Sequence, residues 1–301
     1  MEPAKTLAAN VGLAEGPVFL RRGGLLTVSG DRGHIHKVDG GVLSIFAVTG
    51  TGPNGLAEGP GGTVYVAMSG RVGSRPRDGT PVGILAVRPH GRLQWITQEP
   101  VAPNDLCFGP DGLLYFTDPT RGRRDDGRLW RVDVETGEAQ LLVSVGWYPN
   151  GIGFGLDDGA VLVADTTNGR MMRFPIGASG LGRAEVAFEL DHGVPDGFAF
   201  DTAGNVVIAT QSRAFANPMS RAAGPDSTGD VQTYSSAGRL LDVYQPGSGE
   251  NYTNLALSPE GLLVITCAGD TGKIAAGLET GGSILGVEGW PSRGVPLHPF
   301  R

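Results

Sequence analysis

The sequence contains no apolar run long enough to cross a membrane, which takes about eighteen or more residues, so no spanning helix is predicted. Its first ten residues have neither the basic region nor the apolar stretch of a signal peptide. Only two cysteines are present, Cys107 and Cys267, and they stand at different offsets in the repeat described below. We therefore expect no disulfide between them and a reducing, cytoplasmic location.

Positive charge is also scarce. Lys and Arg number 24 against 31 Asp and Glu, which gives a formal net charge of −7. A phosphate backbone is bound by a basic face, so nucleic acid is not an expected partner. No segment has the apolar spacing of an amphipathic helix, and the predicted fold class is therefore all-β.

Glycine is abundant instead, with 50 residues. Many of these glycines stand in turn sequences such as Pro110-Asp111-Gly112 and Asp158-Gly159, where a positive φ costs glycine little. Tight hairpins between short strands account for this placement better than disorder or low complexity does.

An acidic or amide residue that runs directly into a strand-like apolar segment recurs six times, at intervals of about 40 to 60 residues. We call these residues the markers: Glu15, Asn54, Asn104, Asn150, Asp196 and Asn254. Each marker is followed by a strand, a turn and a second strand, and most repeats continue into a third and a fourth. This pattern predicts one six-bladed β-propeller over residues 1–301, with four antiparallel strands in each blade.

Closure of the ring is predicted from the residues that the repeats leave over. The first repeat is complete from Glu15 to Val48, so the segment Ala4–Ala8 has no place in it. We expect this segment to form the outer strand of the last blade, which joins the two ends of the chain and covers a sheet edge.

The markers are predicted to share one face of the ring with the long segments that follow each second strand. These segments carry many arginines: Arg71, Arg75, Arg77, Arg121, Arg123, Arg124, Arg213 and Arg221. Such a concentration would attract an anionic small-molecule substrate. The simpler interpretation is a solvated rim, paired in part with the acids Asp78, Asp125, Asp126 and Asp226.

In a closed ring the markers converge on one axis, where they could form a central metal site. Glu15 and Asp196 would supply two negative charges, and Asn104 and Asn150 neutral oxygens. Hard oxygen ligands suit Ca²⁺, or Mg²⁺ or Mn²⁺ with water; Zn²⁺ is less natural, since no marker is His or Cys. The alternative is that Asn-Gly and Asp-Gly are ordinary turn formers that the repeat reuses.

The pair His34 and His36 could also be taken for metal ligands. It lies where the third strand of the first blade is predicted to begin, and no other histidine shares its pattern. We therefore interpret it as a solvated strand end.

Several segments together resemble the SMP-30/gluconolactonase/LRE-like family over essentially the whole chain. They are Ala14–Phe19, Pro103–Leu106, Pro110–Pro119, Pro149–Ile152, Pro195–Phe198 and Gly294–Phe300. The resemblance implies a six-bladed propeller with a divalent cation at its axis, most often Ca²⁺, and commonly lactone hydrolysis. It implies Glu15, Asn150 and Asp196 as metal ligands and Asn104 as a further ligand or a substrate-contacting amide.

The same resemblance implies Asp196 as the general base, so Asp196 and Asn104 are the catalytic candidates. Asp105 is a second base candidate, unless it caps the turn; Asn54 and Asn254 either line the substrate pocket or are plain turn residues. The function we expect is metal-dependent hydrolysis of small cyclic esters, with Ca²⁺ first and Mg²⁺, Mn²⁺ or Zn²⁺ as alternative ions. An organophosphate-cleaving propeller, an isomerase and a non-catalytic ligand-binding propeller with a structural Ca²⁺ stay open, as does the oligomeric state.

Overall fold

A computed structural model describes residues 2–72, 75–76, 79–120, 126–157, 159–177, 180–213, 228–247, 251–269 and 281–295; of residues 71, 72, 75 and 76 it describes the backbone alone. The described strands form six antiparallel sheets of four main strands each. The inner strand of each sheet contacts the inner strand of the next, and the last contacts the first, so the sheets stand in a ring. The predicted all-β, six-bladed propeller is confirmed.

The strands are numbered along the chain and are given for each blade from the axis outwards. Blade 1 consists of β2 (Ala14–Phe19), β3 (Leu25–Ser29), β4 (His34–Asp39) and β5 (Val42–Val48). Blade 2 consists of β6 (Pro53–Glu58), β7 (Val64–Met68), β10 (Gly83–Val87) and β11 (Leu93–Thr97), with a small hairpin of β8 (Arg71–Val72) and β9 (Arg75–Pro76). Blade 3 consists of β12 (Leu106–Phe108), β13 (Leu114–Pro119), β14 (Gly127–Val132) and β15 (Ala139–Val145).

The second half of the ring repeats this order. Blade 4 consists of β16 (Pro149–Phe154), β17 (Ala160–Asp165), β18 (Arg170–Gly177) and β20 (Glu185–Glu189), and β19 (Gly180–Leu181) pairs with the end of β18. Blade 5 consists of β21 (Val194–Phe200), β22 (Val206–Gln211), β23 (Val231–Tyr234) and β24 (Leu240–Tyr244). Blade 6 consists of β25 (Tyr252–Leu257), β26 (Leu263–Gly269), β27 (Gly281–Val287) and β1 (Lys5–Ala8). Short 3₁₀ turns occupy Pro60–Gly62 and Pro89–Gly91.

The hydrophobic core is divided among the contacts between blades. Among the described residues, six apolar clusters fill these contacts, one between each pair of neighbours. Middle strands such as β7 and β10 are buried along their whole length, because another blade covers each of their faces. This burial explains why these strands are continuous apolar runs rather than alternating ones.

The ring is closed by the start of the chain. Strand β1 pairs antiparallel with β27, so the first strand of the chain completes the last blade, as the unassigned segment Ala4–Ala8 predicts. Leu7 lies against Gly286, where any Cβ would come within 2.8 Å of the leucine side chain. Beyond the strand, the N–H of Val11 donates to the carbonyl of Gly282 at 2.8 Å.

Two further expectations concern the cysteines and the membrane. Cys107 and Cys267 are both free thiols, as their different offsets predict. No helix among the described residues is long and apolar enough to cross a membrane.

Replacing Leu7 by alanine is expected to weaken the closure of the ring. Leu7 is half-buried, so we expect a loss of about 1–2 kcal/mol in the free energy of unfolding, measured by urea denaturation. Leu141→Ala is the matched control, since Leu141 also lies on an outer strand but is 43% exposed; its expected effect is below about 0.5 kcal/mol. Equal losses in the two variants would contradict a closing role for β1.

Candidate functional site

In five of the six blades the marker lies where the inner strand departs from regular pairing. Register shifts lie between Pro53 and Leu56, between Pro149 and Ile152, and between Pro195 and Phe198. Blades 1 and 6 have corresponding shifts after Glu15 and before Asn254. A β-bulge re-aims the side chains at its position and increases the local twist of the strand. In these five blades a local departure from regular pairing therefore places the marker. In blade 3, Asn104 lies before β12, whose pairing with β13 has no register shift.

The glycine that follows Asn54 or Asp196 leaves room for a polar side chain of the next blade. A Cβ on Gly55 would lie 2.6 Å from Oδ1 of Asp105, and a Cβ on Gly197 would overlap the side-chain amide of Asn254. Neither glycine has a positive φ. The close packing of neighbouring blades, rather than the conformational demand of a turn, thus accounts for these glycines.

Hydrogen bonds tie neighbouring marker segments together around the axis. They run from Gly55 N to Asn104 O at 2.8 Å, from Thr117 Oγ1 to Asn150 O at 2.8 Å, from Thr166 Oγ1 to Pro195 O at 2.7 Å, and from Thr253 Oγ1 to Ala14 O at 2.8 Å. Each of these bonds crosses from one blade to the next. The geometry at the axis is thus set by the packing of the whole ring.

Three buried carboxylates come together at the axis: Glu15, Asp105 and Asp196. Burial, reinforced by the charge of Asp105, raises the pKa of Glu15 to about 8. Burial also raises the pKa of Asp105 to about 6. The pKa of Asp196 is raised well above its usual range by burial and by the charges of Glu15 and Asp105. The sequence predicts all three as site residues, and the structure places them within electrostatic reach of one another.

Amide side chains satisfy part of this cluster. The side chain of Asn254 lies beside Glu15 and Asp105 and that of Asn150 beside Asp196, and each lowers the pKa of the acid next to it. Gln211, at the end of β22, donates from Nε2 to Oδ2 of Asp196. Oδ1 of Asn254 also accepts the N–H of Leu255 at 2.8 Å, as a turn residue does, so its place in the substrate pocket stays a prediction.

Gln211 was not predicted from the sequence. The available signal was its place at the start of the segment that follows the second strand of blade 5, which is expected to share a face with the markers. Nothing in the repeat singles out a glutamine at that place, because its partner Asp196 lies fifteen residues earlier in the chain.

The remaining two predicted residues also reach the axis. Asn104 is buried, its N–H donates to the carbonyl of Thr117 at 2.9 Å, and its own carbonyl accepts from Gly55. Asn54 is half-buried, and its Oδ1 has no hydrogen-bond partner in the described part of the structure. The same holds for Oε1 of Gln211, so two oxygens near the carboxylates lack a donor.

These residues fit a hard divalent cation. None of the ion pairs formed by the described residues involves Glu15, Asp105 or Asp196, so these carboxylates have no positive partner there. The donors are carboxylate and amide oxygens, the ligands that Ca²⁺ and Mg²⁺ prefer. Within the described residues no group of three or more His, Cys, Asp or Glu side chains could hold an ion by itself. The predicted set therefore depends on two carboxylates together with amides.

The two histidines lie away from this cluster. His34 and His36 are on β4, the third strand of blade 1, with their rings 5.5 Å apart. His36 is buried, and burial lowers its pKa, so the expectation of a solvated strand end is wrong for this residue. Val38, two residues further along β4 and on the same face, packs in the cluster between blades 6 and 1, so this face of the strand is covered.

Most of the predicted arginine rim lies outside the described residues. This applies to the side chains of Arg71, Arg75, Arg77, Arg121, Arg123, Arg124 and Arg221, and to the acids Asp78, Asp125 and Asp226. Arg213 is described, and its guanidinium lies beside Gly169 at the top of blade 4. Asp126 pairs with Arg128 at 3.9 Å. The attraction of an anionic substrate stays a prediction.

A cavity of about 1280 Å³ occupies the axis on the side opposite the long loops. Its lining includes Phe108, Phe154 and Phe200 near the ends of inner strands. Asp105 and Asn254 also line the cavity, so it reaches the carboxylate cluster from the side opposite the long loops. The cluster thus lies between this cavity and the predicted mouth.

Residues 13–269 match the family model described as SMP-30/Gluconolactonase/LRE-like region. The chain belongs to this family. The resemblance to this family that the sequence predicts is thereby confirmed over most of the chain.

Named relatives are similar at low identity. The adipocyte plasma membrane-associated protein of Mus musculus is 27% identical over 59% of this chain and 48% of its own length. The chain therefore matches about half the length of such relatives. A gluconolactonase of Zymomonas mobilis is 24% identical over 68% of this chain and 66% of its own length. Among solved structures, regucalcin of Agrobacterium tumefaciens, described as a calcium-binding protein, is similar over 100% of this chain and 97% of its own. The TM-score is 0.76 at 20% identity, which supports the propeller fold.

Replacing Gly197 by alanine is expected to disturb the axis of the ring. The added methyl group overlaps the amide of Asn254, so we expect the free energy of unfolding to fall by about 1–3 kcal/mol in urea denaturation. Gly146→Ala is the matched control, because Gly146 has a non-positive φ and no atom within 4 Å of the new methyl. A Gly197→Ala variant as stable as this control would show that the close approach of blades 5 and 6 is not required.

Proposed function

We propose that this protein is a divalent-metal-dependent hydrolase of small cyclic esters, with sugar lactones as the first substrate class and Ca²⁺ as the first ion. The observation that carries the proposal is the group of three buried carboxylates at the axis without a positive partner among the described residues. Membership of a family that is named in part for gluconolactonase supports the reaction class.

The residues that would hold the ion are Glu15, Asn104, Asn150 and Asp196. Their donors are hard oxygens, which favours Ca²⁺, with Mg²⁺, Mn²⁺ and Zn²⁺ as alternatives. The similarity to a protein described as calcium-binding supports the same choice. When bound, such an ion supplies Lewis-acid polarisation of a carbonyl group and balances the charge of the site.

The chain itself supplies the base. Asp196 is buried beside two other carboxylates, and it is held by the amides of Gln211 and Asn150. These amides fix its orientation. Burial beside Glu15 and Asp105 raises its affinity for a proton above that of an exposed aspartate, and the charge of a bound cation would keep it ionised and able to accept one. We assign to Asp196 the acceptance of a proton from the attacking water.

Asp105 is the second candidate base. Its pKa of about 6 leaves it largely ionised at neutral pH while it still binds a proton more tightly than an ordinary aspartate. Oδ1 accepts the N–H of Leu106 at 2.9 Å, which holds the carboxylate in place. Asn54 and Asn254 stand beside these acids and are proposed to line the pocket for the substrate.

The substrate is proposed to be a small molecule, and an anionic group on it would suit the arginines predicted at the mouth. The free thiols of Cys107 and Cys267 suit a reducing compartment, so we propose the cytoplasm as the location. The organophosphate and binding-only alternatives have no specific observation in their favour.

A panel of small lactones tests the proposal, with proton release followed after EDTA treatment and after return of each ion. We expect turnover to vanish with EDTA, to return with Ca²⁺ or a related ion, and to fall at least about 100-fold in Asp196→Asn, because general-base catalysis contributes about that much. Asp242→Asn, a change on the outer strand β24, is the matched control and is expected to keep full activity. Comparison with Asp105→Asn separates the two candidate bases.

Two results would contradict the proposal. Turnover that survives complete removal of metal would exclude a metal-dependent mechanism. Ion-dependent stability with no turnover of any lactone would leave a structural ion and favour a binding protein; turnover of phosphotriesters alone would favour the organophosphate alternative.

A further inference from the structure

Asp230 is the centre of a buried hydrogen-bond network in blade 5. Its carboxylate accepts Thr210 Oγ1 at 2.6 Å and Gln232 Nε2 at 3.0 Å on Oδ1. Its other oxygen, Oδ2, contacts Nε2 of His192 at 2.5 Å. Three elements are thereby joined: β22, the start of β23, and the loop 190–193 that leads into β21.

The same network holds the loop 190–193 from a second side. Gln232 Nε2 also donates to the carbonyl of His192 at 3.1 Å. The hydroxyl of Tyr234 donates to Gln232 Oε1 at 2.8 Å and accepts the N–H of Asp191 at 2.7 Å. Both the side chain and the backbone of this loop are thus fixed to β23.

In two other blades as well, a carboxylate accepts a hydrogen bond from the chain shortly before the marker. In blade 1, Asp31 accepts the N–H of Leu13 at 2.8 Å. In blade 3, Asp118 accepts the N–H of Ala102 at 2.7 Å. Those donors are backbone amides, which do not titrate. Blade 5 differs from these two because the donor is the imidazole of His192.

The loop 190–193, which this network holds in place, leads directly to the proposed metal ligand Asp196. Asp196 follows His192 by four residues and lies in the register shift of β21. The neighbour of Thr210 on β22 is Gln211, which holds Asp196 through its amide. The network therefore fixes the backbone before Asp196 and the strand that carries its partner.

The geometry points to His192 as a positioning residue, whose contact with Asp230 sets the orientation of Asp196 at the axis and makes that orientation dependent on pH. This inference rests on the proposed function, since it concerns an ion held by Asp196. The half-buried contact between His192 and Asp230 and the adjacency of Thr210 and Gln211 on β22 carry it.

The sign of the pH dependence follows from the groups around His192. These are Asp230 from β23, the exposed Asp191 from its own loop, and the guanidinium of Arg213, which lies beside the nearby Gly169. Burial lowers the pKa of His192, but the two aspartates outweigh burial and raise its pKa above the ordinary 6.5. The contribution of the pair to stability is thus complete below pH 6.5 and is lost as pH rises through the raised value.

The test compares the affinity of the whole protein for Ca²⁺ in wild type, His192→Phe and His192→Gln from pH 6 to pH 9. The titration of the axial carboxylates is common to all three proteins, so the ratio of affinities isolates the effect of His192. At pH 6 we expect His192→Phe to bind Ca²⁺ about tenfold more weakly, as for other residues that orient metal ligands. His192→Gln keeps a hydrogen-bond donor to Asp230 and is expected to recover part of this loss.

The wild-type advantage over His192→Gln is expected to shrink as pH rises, and NMR titration of the His192 ring should give a pKa above 6.5. His90→Asn is the control, because His90 is exposed in the 3₁₀ turn of blade 2. The inference would be overturned if wild type and both His192 variants had the same affinity for Ca²⁺ at every pH. It would also be overturned if both variants lost folding stability while their Ca²⁺ affinity was unchanged. Absence of metal binding by the wild type would instead overturn the proposed function on which the inference rests.

Discussion

The central constraint on this structure is that three carboxylates are buried close together at the axis. Glu15, Asp105 and Asp196 arrive from blades 1, 3 and 5, and nothing in the local sequence of any one blade brings them near the others. Charges of one sign in a poorly solvated space are costly, so each group binds a proton more tightly than an exposed acid does. A bound cation would remove that cost, which supports the proposed metal site.

The propeller supplies the stiffness that this arrangement requires. Apolar clusters between all neighbouring blades hold the ring together, and β1 closes it against β27. At the axis, glycines such as Gly197 allow neighbouring backbones to approach within contact distance of marker side chains. The bulges and glycines weaken regular strand pairing locally, and the surrounding sheets compensate for this loss.

Much of this architecture could be predicted from the sequence, because each copy of the repeat forms one blade. The six markers gave the number of blades, and the unassigned segment Ala4–Ala8 gave the closing strand. The role of Gly55 and Gly197 could not be predicted, since Asn-Gly and Asp-Gly are equally typical of turns. The burial of His36 was missed because it depends on the covering blade. Gln211 and the His192–Asp230 contact were missed because their partners are distant in sequence.

The most direct test of the account is the number of protons released when Ca²⁺ binds, measured by calorimetry at pH 7 in buffers of different ionisation enthalpy. Glu15, with a pKa of about 8, is mostly protonated at this pH and must ionise to become a ligand. We expect about one proton or more to be released per ion bound. Fewer protons should be released by Glu15→Gln than by the control Glu58→Gln. The control changes another buried glutamate, which accepts the N–H of Arg21. Ca²⁺ binding without proton release, or with the same release in Glu15→Gln, would contradict the account.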